Sequence, residues 1–263
     1  MVELSNFIEI LDAGVAGDLL KFISTPKKIS ASDYDRRICF GFDANVILRL
    51  SQNTNLELII DYFGVNRGTK DLVLPSQALI EFHNNEVYVE DTLNKSIRKK
   101  LDELKKVTSK VKAVNFSAYG KIEELIKEFE RENSFLFDDA YSSKKQKMFS
   151  SLKEIAVVSR IPRGSLGEIA RSRKVRKFPP GFMDEGDGDF YCWVEFIYHA
   201  YIEKIYREKY EALVWVTNDV KVDWSRGGYP HPALAAECFA ATGGDFFLCT
   251  LDELVRFCDR KIN

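Results

Sequence analysis

Two short apolar runs that each lead into an acid constrain this chain most. Arg37 to Asp43 reads R-I-C-F-G-F-D, and Ala212 to Asp219 reads A-L-V-W-V-T-N-D. Such compact apolar runs are typical of strands buried on both faces of a parallel sheet. Asp71 to Pro75 (D-L-V-L-P) and Phe246 to Cys249 (F-F-L-C) repeat the pattern. Helical signals lie between them: one begins at Val46-Ile47-Leu48 with Asn45 as a candidate cap, and another follows Ser76, a natural N-cap. Pro232 to Ala241 and Leu251 to Asp259 supply two more. Strands alternating with helices predict an α/β fold with a mostly parallel sheet covered on both faces. Ligands in such sheets gather at the carboxyl ends of the strands, which is where Asp43 and Asp219 stand. Taken singly, Asp43 also reads as a plain Asx turn after a strand.

The stretch Lys177 to Trp193, K-F-P-P-G-F-M-D-E-G-D-G-D-F-Y-C-W, is the second constraint. Pro179-Pro180-Gly181 excludes a helix interior. Asp184, Glu185, Asp187 and Asp189 follow within a few residues, and then Phe190, Trp193, Val194, Ile197 and Tyr201 fall on one helical stripe. Asp189 therefore sits where a core-facing helix starts, and the helix dipole there favours an ionised carboxylate. A plain N-cap accounts for a lone aspartate at that place as well.

The 263 residues allow one good core with an elaboration. Residues 1–37 read as a helical leader, with Phe7, Leu11, Val15, Leu19 and Ile23 at helical spacing and Pro26 ending it. No run approaches membrane-spanning length and no basic segment precedes an apolar one, so neither a membrane span nor a signal peptide is expected. Five scattered cysteines without a C-x-x-C pair predict reduced thiols in a cytoplasmic protein. The three histidines lie far apart, which argues against histidine-based metal chemistry.

The net charge of −2 hides an asymmetry: residues 94–178 carry 22 Lys/Arg against 11 Asp/Glu, and the remainder is acidic. That region, about 92–177, reads as a charged helical insertion, its third helix spanning Met148 to Val158. It ends in the basic run Arg160, Arg163, Arg171, Arg173, Lys174, Arg176 and Lys177, beside the acids. Charge runs are usually solvated faces. Next to an acid cluster, however, such a run can hold phosphates while the acids hold a metal.

Asp43, Glu81 in the second turn after Ser76, Asp189 and Asp219 are thus four acids in comparable contexts. Like charges held close need a cation, and an all-oxygen set suits magnesium or manganese over zinc. The quoted stretches F-D-A-N (Phe42 to Asn45), L-P-S-Q-A-L-I-E-F (Leu74 to Phe82), P-P-G-F-M-D with G-D-F-Y-C-W, and V-T-N-D-V-K-V-D-W (Val216 to Trp224) resemble the PIN-like domain of metal-dependent nucleases. The similarity is to a bacterial subfamily with a helical insertion, and it runs from Ile38 to Leu254. It implies a three-layer PIN-like fold over residues 38–263, with a central, mostly parallel sheet and an inserted helical subdomain. By the same resemblance Asp43, Glu81, Asp189 and Asp219 form the catalytic and metal-binding quartet, with Asp184 as an accessory metal ligand. Lys221 and Asn45 are implied as substrate-side residues, Asn45 orienting a carboxylate. The link from Asp184 to Asp189 is shorter here than in the subfamily, which moves substrate gripping to Arg171, Arg173, Lys174, Arg176 and Lys177.

The resemblance implies a nuclease that hydrolyses phosphodiester bonds with metal-activated water, RNA being favoured over DNA, with a 5′ phosphate and a 3′ hydroxyl as product ends. It also implies a toxin or defence role, and leaves open a homodimer or a regulatory partner protein. The alternative is a nucleic-acid- or partner-binding module whose acid site is inactive. An aspartyl phosphohydrolase using Asp43 ranks lowest, because position 45 is asparagine where that chemistry wants a second acid.

Overall fold

The computed structural model describes residues 2–13, 19–51, 53–112, 119–132, 140–164, 166–219 and 221–259. They divide into two compact units: Met1–Phe82 with Ser151–Asn263, and His83–Ser150. The first holds the sheet and every residue of the candidate site.

Two helices open the chain, α1 (Val2–Ala13) and α2 (Leu19–Ser24), and Phe7 and Leu11 of α1 are buried. Strand β1 (Ile38–Phe42) is followed by α3 (Ala44–Leu50) and α4 (Leu56–Val65). Strand β2 (Lys70–Pro75) runs straight into α5 (Ser76–Lys112), which passes into the second unit. There α5 and α6 (Tyr119–Glu132) line a shared apolar groove through Ile97, Leu101, Leu104, Ile122, Leu125, Ile126 and Phe129. Lys105 Nζ meets Glu130 Oε1 at 2.6 Å across the same pair of helices.

Helix α7 (Ala140–Ile155) leads back into β3 (Ala156–Ser159). The helix expected from Met148 to Val158 therefore stops at Ile155. β3 pairs in parallel with β2, Leu74 opposite Val158. It is an edge strand with Val157 and Val158 largely exposed, so its side chains lack the burial pattern that marks the central strands. Residues Leu166–Val175, part of the basic run, form helix α8.

Helix α9 (Gly188–Tyr206) precedes β4 (Ala212–Val216); β5 (Ser225–Arg226) and β6 (Tyr229–Pro230) make a small antiparallel ribbon. Helix α10 (Pro232–Thr242), β7 (Asp245–Cys249) and α11 (Leu251–Asp259) close the fold. The main sheet has the order β3-β2-β1-β4-β7, and every pairing in it is parallel.

Side-chain alternation builds the layers. Phe40 and Phe42 of β1 meet Phe63 of α4 edge-on, at 5.3 and 6.2 Å between ring centroids. Phe40 also packs at 5.8 Å on Phe257 of α11. Gly41 points to the opposite face, where an added Cβ would stand 2.6 Å from Trp215 and 2.7 Å from Phe196 of α9. Only glycine lets those aromatics close over β1. The chain steps outward from β1 to β2 and β3, then returns to the other side of β1 with β4 and β7. The strand order reverses between β1 and β4, and in an open α/β sheet that crevice is the ligand position.

Candidate functional site

Asp43 follows β1 and caps α3, its backbone extended (φ −72°, ψ 156°). Its carboxylate accepts from Ala44 N at 2.6 Å, Asn45 Nδ2 at 2.6 Å and Thr217 Oγ1 at 2.8 Å. Asn45 is thus inside the helix as an orienting group, and the cap is Asp43. Burial pushes the Asp43 carboxyl up to about 6; the Thr217 and Ala44 bonds oppose this, and the charges of Glu81 and Asp219 add to it. Thr217 is a residue the sequence reading passed over. Its hydroxyl also accepts from Asp219 N at 3.0 Å, so one side chain links the ends of the two central strands.

Glu81 lies one turn along α5 from Gln77, whose Nε2 donates to Glu81 Oε1 at 2.8 Å. A Cβ on Gly188, the first residue of α9, would come within 2.0 Å of the same oxygen. The glutamate therefore enters the site through a gap that glycine leaves. Burial raises its pKa against the Gln77 bond and the Lys221 charge.

Asp189 is the second residue of α9, and the N-cap is Asp187, whose side chain makes no cap hydrogen bond. Trp224 Nε1 donates to Asp189 Oδ2 at 2.9 Å. Trp224 is itself held by stacking on Trp215 at 5.5 Å and 6°. Burial raises Asp189, and the Asp184 carboxyl reinforces it. Burial also opposes the charge on Asp184, but hydrogen bonds from Lys221 and Asp189 win and lower it.

Lys221 reaches into this group. Its ammonium lies 2.9 Å from Asp184 Oδ2, 3.1 Å from Asp219 Oδ2 and 3.4 Å from Asp189 Oδ2. Asp223 is fully buried: Oδ2 accepts from Gly181 N at 2.8 Å, while Oδ1 has no hydrogen-bond partner. One oxygen from each of Asp184, Asp189 and Asp223 lies within 4.8 Å of the others. The electrostatic neighbours agree with the geometry, since Asp43 feels Glu81 and Asp219, Asp189 feels Asp43, and Glu81 feels Asp184. The five acids singled out from the sequence therefore share one locality. An all-oxygen donor set with an unpartnered buried oxygen fits a hard divalent cation.

The basic residues divide. Arg173, expected on a substrate-gripping rim, is 1% exposed. It donates to Glu237 Oε1 at 2.7 Å and Oε2 at 3.0 Å and also to the Pro179 carbonyl, so it braces the Pro-Pro-Gly segment from within. Its inward direction was visible in the stripe Leu166, Ile169, Ala170, Arg173, which falls on one face of α8 and is buried throughout. Lys174 is tied down as well, donating at 2.7 Å to the carbonyls of Glu185 and Gly186 and pairing with Asp187 at 3.0 Å. Arg171, Arg176 and Lys177 are exposed. Arg163, which the sequence reading named only within the basic run, stacks over Tyr191 at 4.5 Å and pairs with Glu195 at 3.2 Å. Its side chain stays 41% exposed and its charge is felt by Glu81.

A parallel sheet whose strand ends gather carboxylates at the switch point defines an α/β protein suited to holding a cation there. The chain belongs to the PIN like domain family, whose model matches residues 39–230. That span takes in Asp43, Glu81, Asp184, Asp189, Asp219 and Asp223, and proteins with this domain are typically nucleases. No curated protein and no solved structure matches the chain.

Proposed function

We propose that the protein is a divalent-metal-dependent nuclease that hydrolyses phosphodiester bonds in single-stranded RNA, with magnesium or manganese as the ion. The observation that carries this reading is the convergence of Asp184, Asp189 and Asp219 on Lys221 at the sheet's switch point, with Asp43 and Glu81 close enough to add to the same field. Asp184, Asp189 and Asp219, the carboxylates that Lys221 bridges, would hold the ion together with Asp43, and Glu81 would stand beside them. Bound there, such an ion lowers the pKa of water and neutralises charge building on a phosphate.

The chain's own groups do the rest. Asn45 and Thr217 fix the Asp43 carboxylate, and Trp224 fixes that of Asp189. Glu81, half-buried and with a raised pKa, is suited to take a proton from the attacking water. Arg163, stacked over Tyr191, offers a guanidinium to a backbone phosphate at the margin of the site, and Arg171 of α8 with Arg176 and Lys177 just after it adds exposed positive charge. The preference for RNA, a toxin or defence role and a homodimer or regulatory partner rest on the PIN-like resemblance. A cytoplasmic setting is supported by five unpaired, buried cysteines.

The test is cleavage of end-labelled single-stranded RNA and DNA with manganese, with magnesium and with EDTA, by the wild type and by Asp189→Asn. The reading expects metal-dependent cutting of RNA that leaves 5′ phosphates and falls by roughly a hundredfold or more in the variant. RNA binding without turnover in any metal would instead support a binding module with an inactive acid site.

A further inference from the structure

Lys221, implied by the resemblance as a substrate-side residue, is instead held at both ends by acids. Its backbone N–H donates to Asp219 Oδ1 at 2.9 Å, and its ammonium contacts Asp184, Asp189 and Asp219 at 2.9, 3.4 and 3.1 Å. One positive charge faces three carboxylates here, with Asp43 and Glu81 in the same locality. The ammonium is bonded to oxygens that a cation would need, yet it leaves the group under-neutralised. The side chain is 35% exposed, so it has a way out to solvent.

We propose that Lys221 is a built-in counter-ion. It keeps the acid cluster assembled without metal, and it competes with the incoming cation for Asp184, Asp189 and Asp219. The proposal rests on the metal-dependent reading of the site. An ammonium and a divalent ion cannot both occupy one ring of oxygens, so binding the ion requires Lys221 to swing outward. A divalent ion can displace the lysine because it brings twice the charge to the same oxygens. A monovalent ion offers no such gain, so the lysine also filters ions by charge. Removing the lysine then has two opposite effects: the metal-free protein loses its internal neutralisation, and the metal loses its competitor.

The experiment titrates the full-length protein with Mn2+ at neutral pH, following free ion by its electron paramagnetic resonance signal, and melts the same samples in EDTA. Lys221→Met is compared with wild type, with the charge-preserving Lys221→Arg, and with Lys105→Met, which removes a lysine from the other unit. Lys221→Gln stands in if the methionine protein does not fold. Lys221→Met is expected to bind Mn2+ roughly tenfold tighter or more and to melt at a lower temperature in EDTA. Lys221→Arg and Lys105→Met are expected to stay near wild type in affinity. Equal or weaker Mn2+ binding by Lys221→Met, while wild type binds stoichiometrically, would overturn the counter-ion role alone. Absence of stoichiometric binding in all four proteins would overturn the metal-dependent reading and this inference with it.

Discussion

A buried glutamate and a cluster of mostly half-buried carboxylates lie on either side of the Pro179–Gly181 segment, and they are neutralised in opposite ways. On one side Glu237 is fully buried and receives Arg173 through two bonds and Trp193 Nε1 at 2.6 Å. Arg173 in turn stacks on Phe178 at 4.5 Å and Phe190 at 5.2 Å, and of its nitrogens only Nε lacks a partner. One acid, one base and a dry aromatic wall make a matched set. On the other side Asp184, Asp189 and Asp219 share Lys221, with Asp43 and Glu81 nearby, and Asp43 is pushed up to about 6 by its burial. A matched pair serves the fold, because nothing more can be added to it. An excess of negative charge costs stability unless something neutralises it, and that unmet requirement is the mark of a binding site.

The largest contrast comes from breaking each group. Arg173→Met strands Glu237 without its cation and is expected to cost about 3–5 kcal/mol in urea unfolding. Asp189→Asn removes charge from an overcharged group and is expected to leave the metal-free melting temperature unchanged or higher while abolishing cleavage. If Arg173→Met were harmless, or Asp189→Asn badly destabilising, the division into structural and functional acids would fail.

The pH dependence sharpens the same division. The carboxyl of Asp43 has its usual value of 3.8 in the unfolded chain and about 6 in the fold. Below the lower value both states are protonated and nothing is lost. Between the two values the folded state holds the extra proton, so the Asp43 contribution weakens as pH rises and flattens above about 6. The full effect is about 3 kcal/mol at most. Unfolding in EDTA at a series of pH values should show this fall in wild type and a flatter line in Asp43→Asn. Saturating Mn2+ should remove the fall, because bound metal favours the ionised form.

Smaller effects test the positioning of single groups. Gly188→Ala places a methyl 2.0 Å from Glu81 Oε1, so the glutamate must rotate away. Cleavage should drop about tenfold or more at nearly unchanged stability, the signature of a misplaced group in an intact fold. Trp224→Phe keeps a ring on Trp215 but loses the bond to Asp189, and a few-fold loss of rate, about 1 kcal/mol, is expected. Single-turnover rates beside melting curves distinguish both from general damage.

Much of this was legible in the sequence, for a physical reason. β1 and β4 are buried along their whole length, so their apolar runs and the acids after them stand out. β3 did not stand out, because an edge strand with two exposed valines at the end of a helix continues the helical stripe. Arg173 counts with the basic run by its charge, but the periodicity of Leu166, Ile169 and Ala170 turns it inward. The positions of Lys221 and Asp223 depend on how the turn after β4 meets the Pro-Pro-Gly segment, a contact between residues about forty apart that spacing alone does not encode. Thr217 had no signal beyond its place beside Asp219.

The most direct test is diffraction at the manganese absorption edge from crystals grown at neutral pH with Mn2+. The account predicts an anomalous peak bound by Asp43, Asp189 and Asp219, with the Lys221 ammonium turned away from them. No peak at these carboxylates in saturating manganese, with Lys221 still bridging Asp184, Asp189 and Asp219, would contradict it.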